Sequence, residues 1–176
     1  MKKLRLLLFS DCDRACPGCC NKDWDLDALP VCDSYEGYDE VLITGGEPLL
    51  KPGITRMVIR QIRQENPKAK IYIYTAKLDD KETALDVLKM CDGFTLTLHE
   101  QADVQNFVFF HAAIPDELFE NRSLRLNVFK GLDLFCGDGG WESRFNLEWK
   151  NDCPLPADEV FMRLSASDLY YGVNYL

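Results

Sequence analysis

Short apolar runs alternate with amphipathic stretches along the first 130 residues. Runs rich in β-branched and aromatic residues predict five strands, over residues 4–9, 39–44, 70–75, 94–99 and 124–129. Between them, apolar residues recur at helical spacing, and Asp80 is placed to cap one of these helices. Strand–helix alternation of this kind predicts an α/β fold with a mainly parallel sheet built from right-handed βαβ units.

The fourth predicted strand departs from the continuous apolar pattern of a strand buried on both faces. Its apolar residues alternate with Thr95, Thr97 and His99. If the apolar set packs against the helices, the polar set lines the inner side of a curved sheet. A polar inner face indicates a ligand cavity, with His99 at its rim as a candidate catalytic acid or base.

The pattern weakens after residue 131. Residues 136–140 contain three glycines and predict a loop, and residues 157–164 predict a short helix. We therefore expect a single domain over residues 1–176, with a core of about 4–130 and a variable C-terminal tail at 131–176.

Composition and charge narrow the function classes. The formal net charge is −9, which disfavours binding to nucleic acid because phosphates would be repelled. No apolar stretch is long enough for a membrane span, and Arg5 interrupts the apolar start where a signal peptide would need an unbroken run. These features predict a cytoplasmic protein whose eight cysteines are reduced thiols.

Three of the cysteines, Cys12, Cys16 and Cys19, have the spacing C-x3-C-x2-C directly after the first strand. Active sites collect at the carboxyl ends of strands in α/β folds. Three thiolates leave one iron of a [4Fe–4S] cluster open, which is typical of a catalytic cluster. The spacing alone also allows a closed cluster completed by Cys20 or Cys32, a zinc site, or an incidental grouping. Cys20 is a poor fourth ligand because adjacent cysteines rarely bind the same metal.

A second motif, Thr44-Gly45-Gly46-Glu47-Pro48, follows the second strand. Two glycines let a ligand approach the backbone closely, and Glu47 can accept a hydrogen bond from a ligand ammonium group. By itself the motif is weak and is more typical of a plain turn.

The two motifs together resemble those of the radical S-adenosylmethionine superfamily, from residue 4 to about residue 130. The resemblance implies a partial (βα) barrel of about five to six strands, open on one side. It implies that Cys12, Cys16 and Cys19 bind a [4Fe–4S] cluster. Gly45, Gly46, Glu47 and Pro48 would hold the methionine end of S-adenosylmethionine, and Thr75 its ribose or sulfonium side. In this family an electron from the cluster cleaves the cofactor, and the 5′-deoxyadenosyl radical removes hydrogen from the substrate.

The segment Cys16-Pro17-Gly18-Cys19-Cys20-Asn21 is similar to that of anaerobic ribonucleotide reductase activases, which install a glycyl radical on a large partner enzyme. This similarity implies two partners, a flavodoxin- or ferredoxin-like electron donor and a glycyl radical enzyme. The alternatives are a radical enzyme for a small molecule, of the 7-deazaguanine-forming type, or for a peptide. A non-enzymatic iron–sulfur redox or scaffold protein is a third alternative.

Overall fold

The computed structural model describes residues 1–150 and 152–165, which form one sheet with helices. The strands are β1 (Lys3–Leu7), β2 (Glu40–Thr44), β3 (Lys70–Thr75), β4 (Gly93–Leu98), β5 (Ser123–Phe129), β6 (Glu142–Leu147) and β7 (Glu159–Arg163). The α-helices are α1 (Pro52–Glu65), α2 (Lys81–Met90), α3 (Gln101–Ala113) and α4 (Asp116–Asn121). Two 3₁₀ helices cover Cys20–Asp23 and Pro48–Leu50. The five predicted strands are confirmed to within two residues at each end.

The described sheet has seven strands in the order β6-β5-β4-β3-β2-β1-β7, and every neighbouring pair is parallel. This order follows the chain around a barrel that is left open between β6 and β7. The predicted partial barrel is confirmed, with seven strands in place of five or six.

One face of the sheet forms the core. Alternate strand residues such as Leu6, Ile43 and Ile73 are fully buried and pack in one cluster with Val58 of α1 and Phe107 of α3. Because side chains alternate across a strand, the intervening residues point to the opposite, inner face. On β3 these are Tyr72 and Tyr74, both half-buried. The inner face of the barrel is therefore the more polar one, as the alternation in β4 predicts.

The predicted C-terminal tail contributes two strands to the sheet. The prediction of a short helix over 157–164 is wrong, because Glu159–Arg163 is β7, which pairs with β1 from Lys3 to Leu7. Phe161 is buried on this strand. A short apolar run has no clear period, and pairing with a strand that lies far away in sequence decided its structure.

Among the described residues, no helix is both long and apolar enough to cross a lipid bilayer.

Candidate functional site

The two sequence motifs meet at the carboxyl edge of the sheet. The segment 10–19, here called the cysteine loop, follows β1 and leads into the 3₁₀ helix Cys20–Asp23. Its thiols, the glycine motif and the end of β4 line one cleft of about 250 Å³. The cleft is lined by the predicted site residues Cys12, Cys16, Cys19, Gly45, Gly46, Glu47, Thr75 and His99. Among the site residues predicted, only Pro48 is not part of this lining.

The three candidate ligands of the cysteine loop are free thiols. Burial raises the pKa of Cys12, although a hydrogen bond from the Arg14 backbone N–H to its Sγ, at 3.4 Å, acts against this. Burial also raises the pKa of Cys16. A cysteine binds a metal as the thiolate, and burial of these two side chains disfavours that charged form. A bound cationic centre therefore has to stabilise the thiolates.

Within residues 1–150 and 152–165, no group of three His, Cys, Asp or Glu side chains is arranged to hold a single metal ion. In a [4Fe–4S] cluster each thiolate binds a different iron, so its ligands stand further apart than those of a mononuclear centre.

Charged tethers hold the cysteine loop to the ends of three successive strands. Asp11 pairs with Lys51, which follows β2. Asp13 accepts from Lys77, which follows β3, at 2.7 Å. Arg14 reaches Asp103, which lies on α3 after β4. These ion pairs orient the loop across the carboxyl edge of the sheet.

The pair between Arg14 and Asp103 is the most buried of these tethers. The guanidinium donates to both carboxylate oxygens, at 3.0 and 2.5 Å, and Asp103 is only 3% exposed. Oδ2 of Asp103 also accepts from the backbone N–H groups of His99 and Glu100, at 2.8 and 3.1 Å. One buried carboxylate therefore connects the cysteine loop, the end of β4 and the first turn of α3.

The glycine motif packs directly against the start of the cysteine loop. Gly46 N–H donates to the Phe9 carbonyl at 2.7 Å, and Glu47 N–H donates to the Asp11 carbonyl at 2.9 Å. A Cβ on Gly46 would overlap that same Asp11 carbonyl. Gly45 has a φ of 153°, and a Cβ there would lie 2.8 Å from the Phe9 carbonyl. The sequence predicted close approach at these glycines, and the protein's own backbone makes that approach.

Glu47 is buried and links the ends of β2 and β3. Its Oε1 accepts from Leu49 N–H at 3.0 Å and from the Thr75 hydroxyl at 2.6 Å. Its Oε2 accepts from Ala76 N–H at 2.9 Å. Burial raises the pKa of Glu47 although these three donors favour the carboxylate. The side chains of Glu47 and Thr75 thus hold the shape of the cleft wall and are already hydrogen-bonded to each other.

Pro48 starts the short 3₁₀ helix behind this wall and is buried. Its carbonyl accepts from the Thr55 hydroxyl of α1 at 2.6 Å. Pro48 therefore connects the end of the glycine motif to α1, outside the cleft lining.

Asn21 is a site residue that motif spacing did not single out. Its Nδ2 donates to the Gly45 carbonyl at 2.7 Å, and Asn21 lines the cleft. This hydrogen bond joins the 3₁₀ helix after the cysteine loop to the glycine motif. The only sequence signal was its place two residues after Cys19, in the segment that is similar to the activases.

His99 lies at the cleft beside two aromatic residues. Its ring stacks on Trp149 with centroids 4.8 Å apart and contacts Phe129 edge-on, also at 4.8 Å. Nδ1 is buried without a hydrogen-bond partner among the described residues. Burial, together with the charge of Arg14, lowers the pKa of His99, so the imidazole is neutral near pH 7.

Trp149 also covers the cysteine loop. A Cβ on Gly18 would lie 2.9 Å from the Trp149 Cβ, so the glycine permits this close packing. Nearby, Cys153 N–H donates to the Asp23 carboxylate at 3.1 Å. The sequence carried no signal for Trp149, because it lies in the segment that was expected to be variable.

Cys20 and Cys153 form a disulfide bond. The prediction that all eight cysteines are reduced is therefore wrong for this pair. The chain between β6 and β7 returns to the cysteine loop and brings together two residues that are 133 positions apart. A disulfide removes Cys20 from the possible ligands. Cys91 is buried, and burial raises its pKa to about 12.

The residues present fit an iron–sulfur cluster by the chemistry of their donors. Three thiols on one loop, none of them in the disulfide, face a cleft that also contains the glycine motif. Cysteine thiolates are the usual ligands of such clusters, and three of them leave one iron without a protein ligand.

Comparison with known families agrees with this donor set. The sequence model of the family described as "4Fe-4S single cluster domain" matches residues 3–103, more than half of the chain. The matched region contains the cysteine loop and the glycine motif, and it ends at Asp103. No curated protein was found to match the sequence.

Proposed function

Because the chain belongs to the family of 4Fe-4S single cluster domains, we propose that it is a radical S-adenosylmethionine enzyme. Its cluster ligands in this proposal are Cys12, Cys16 and Cys19. One observation carries the proposal: the three free thiols and the glycine motif line the same cleft. A protein that only carried electrons would have no need for a ligand cleft beside its cluster.

Three protein ligands leave room for S-adenosylmethionine at the fourth iron. When bound there, the cofactor and the reduced cluster supply a 5′-deoxyadenosyl radical that removes hydrogen from a substrate. The backbone of Gly45 and Gly46 and the side chain of Glu47 would hold the methionine end of the cofactor, and Thr75 would lie at its ribose or sulfonium side. Pro48 would support the motif from outside the cleft lining.

The chain's own contribution is orientation. The cysteine loop is tied to the ends of β2, β3 and β4, and Asn21 ties it to Gly45. These contacts hold the thiols in place before any ligand binds, which lowers the entropy lost on binding. His99 adds a neutral imidazole at the cleft, where it can hydrogen-bond a substrate and act as a general acid or base.

The barrel is open between β6 and β7, and this opening favours the hypothesis of a large substrate, such as the glycine-bearing loop of a glycyl radical enzyme. The segment from Cys16 to Asn21 is similar to that of activases. Its last residue, Asn21, donates the hydrogen bond to the Gly45 carbonyl. A small molecule or a peptide is the competing substrate class. In either case a flavodoxin- or ferredoxin-like protein would donate the electron.

The proposal is tested by anaerobic reconstitution of the full chain with iron and sulfide, followed by reduction with S-adenosylmethionine present. We expect about four irons per chain, a spectrum that changes when the cofactor is added, and release of 5′-deoxyadenosine. A protein with about four irons that releases no 5′-deoxyadenosine would be an electron carrier or a scaffold. Wild-type protein that binds only zinc would contradict the cluster itself.

Two variants locate the ligands. Cys16→Ala should lose the cluster, because two thiolates remain. Cys136→Ala is the matched control, since Cys136 is an exposed free thiol in the loop before β6, outside the cleft lining, and its iron content should equal that of the wild type. Retention of the cluster in Cys16→Ala would show that the ligand assignment is wrong.

A further inference from the structure

The disulfide between Cys20 and Cys153 lies at a place where it affects the candidate site. Cys20 directly follows the candidate ligand Cys19, and it starts the 3₁₀ helix that also carries Asn21. Cys153 belongs to the chain between β6 and β7, where the barrel is open. The bond therefore connects the 3₁₀ helix that follows the cysteine loop to the segment between β6 and β7.

The same segment contacts the cleft through Trp149. The indole stacks on His99 and packs against Gly18 of the cysteine loop. Phe129 completes this aromatic group, with its ring centroid 4.3 Å from that of Trp149. Trp149 thus packs against His99 at the cleft. Cys153 of the disulfide lies four positions further along the chain.

We propose that the Cys20–Cys153 bond is a reversible redox site, reduced by a dithiol, that controls whether Trp149 stays packed over His99 and Gly18. The oxidised form keeps the His99 side of the cleft covered. The reduced form leaves Trp149 held by ring contacts and by the hydrogen bond from Cys153 N–H to Asp23. This inference goes beyond the proposed function and does not require it.

Access decides which sulfur is attacked. Cys20 is exposed, whereas Cys153 is half-buried, so a thiolate from solution reaches the Cys20 sulfur. Attack forms a mixed disulfide with Cys20 and releases Cys153 as a thiolate, which takes up a proton. The second thiol of the reductant then displaces Cys20 and becomes oxidised to a disulfide. Two electrons and two protons have moved from the dithiol to the two cysteines.

The bond can act as a switch because of where it fixes the chain. It holds Cys153, four positions after Trp149, to Cys20 of the 3₁₀ helix, so it limits how far the segment that contains Trp149 can move away from the cysteine loop. Without the bond, Trp149 and Cys153 are held, among the described residues, by the hydrogen bond from Cys153 N–H to Asp23, by the ring contacts of Trp149 and by its packing against Gly18, each of which contributes little.

The first test asks whether the bond exists in the full chain. Protein prepared without thiol reductants is alkylated in denaturant, digested, and analysed by mass spectrometry without reduction. We expect a linked peptide pair containing Cys20 and Cys153, which disappears after treatment with dithiothreitol. Absence of this pair, or pairing of either cysteine with a different one, would overturn the proposal.

The second test asks whether the bond controls Trp149. Acrylamide quenching is measured before and after dithiothreitol, and the signal of Trp149 is taken as the difference between wild type and Trp149→Phe. Trp149 is 38% exposed in the disulfide-bonded protein, and we expect its quenching to rise on reduction as its ring contacts are lost. Cys153→Ser should show the high value without reductant, whereas the control Cys136→Ser should respond as the wild type does.

Equal quenching of Trp149 in the oxidised and reduced protein would also overturn the proposal. Neither readout depends on cleavage of S-adenosylmethionine. Failure of the redox proposal and failure of the proposed function are therefore separate results.

Discussion

At Gly46, the backbone of the cysteine loop approaches so closely that no side chain fits. The Asp11 carbonyl occupies the space where a Cβ would stand, and Gly46 N–H bonds the Phe9 carbonyl. Gly18 shows the same requirement towards Trp149. At both positions glycine is needed for close approach of another part of the protein, which couples the cysteine loop to its surroundings.

Replacement of Gly46 tests this coupling. Gly46→Ala forces the cysteine loop away from β2, and we expect the free energy of unfolding to fall by about 1–3 kcal/mol, as in other overpacked sites. Iron retained after reconstitution should fall as well, because the loop contains all three candidate ligands. Urea unfolding and iron analysis provide the two measurements.

Gly37→Ala is the matched control for Gly46→Ala. Gly37 has a φ of 76° and nothing within 4 Å of an added Cβ, so its substitution costs only backbone strain, about 1 kcal/mol. Its iron content should equal that of the wild type. Equal iron content in both variants would contradict the role given to Gly46.

Among the elements, α3 has the largest effect on the site, because its first turn contributes Asp103. This carboxylate satisfies backbone N–H groups at the end of β4 and also binds Arg14 of the cysteine loop. Helix N-termini favour such a carboxylate through their unpaired N–H groups and their dipole. A capping residue of the helix is therefore also an anchor of the loop.

Removal of this anchor should be costly. In Asp103→Ala the Arg14 guanidinium, whose side chain is only 20% exposed, loses its buried partner. We expect the free energy of unfolding to fall by about 3–5 kcal/mol, as when one partner of a buried ion pair is removed. Denaturant unfolding measures this change.

Asp86→Ala serves as the comparison for Asp103→Ala. Asp86 pairs with Lys89 on the surface of α2, and both side chains are more than half exposed. Its substitution should change the free energy of unfolding by less than about 1 kcal/mol. A similarly small effect in Asp103→Ala would contradict the role given to Asp103 as an anchor.

Two of the charge networks in the described residues lie at opposite ends of the sheet. The cysteine loop occupies the carboxyl edge, whereas Asp92, just before β4, lies at the amino edge. Asp92 accepts from Arg63 of α1 at 2.6 Å, from Ile71 N–H at 2.8 Å and from Lys70 at 3.2 Å. The contacts that hold α1 against β3 and β4 at that edge are thus separate from those that shape the cleft.

Asp92 makes the stability of the fold depend on pH. Burial alone would raise its pKa, but the hydrogen bonds from Ile71 and Arg63 and the Arg63 charge hold the pKa below its usual value. A carboxyl group with a lowered pKa in the folded state stabilises the fold above its unfolded pKa. That stabilisation is lost as the pH falls through the folded pKa.

The wild type should therefore lose free energy of unfolding from about pH 5 to about pH 3, and Asp92→Asn should lose less over the same range. Urea unfolding at a series of pH values measures both. Asp86→Asn, on the exposed face of α2, should follow the wild type. Parallel curves for wild type and Asp92→Asn would show that Asp92 does not cause the acid sensitivity.

Local patterns accounted for much of this molecule. The five central strands follow from runs of β-branched and aromatic residues, and α1, α2 and α3 follow from their apolar spacing, whereas α4 was not predicted. Cys12, Cys16 and Cys19 could be proposed as cluster ligands from their spacing and from their place in a loop that follows a strand of a parallel sheet. The matched family, which covers residues 3–103, agrees with the chemistry that this spacing predicted.

The sequence by itself determined the five central strands, their mainly parallel arrangement and the place of each motif directly after a strand, because these depend on neighbours along the chain. Only the tertiary structure decided how the site is held. Arg14 and Asp103 are 89 positions apart, and Cys20 and Cys153 are 133 apart. Strand β7 and the packing of Trp149 on His99 depend on similarly distant partners. Residue type and local period carry no information about such pairs, since they form only when the sheet has brought its ends together.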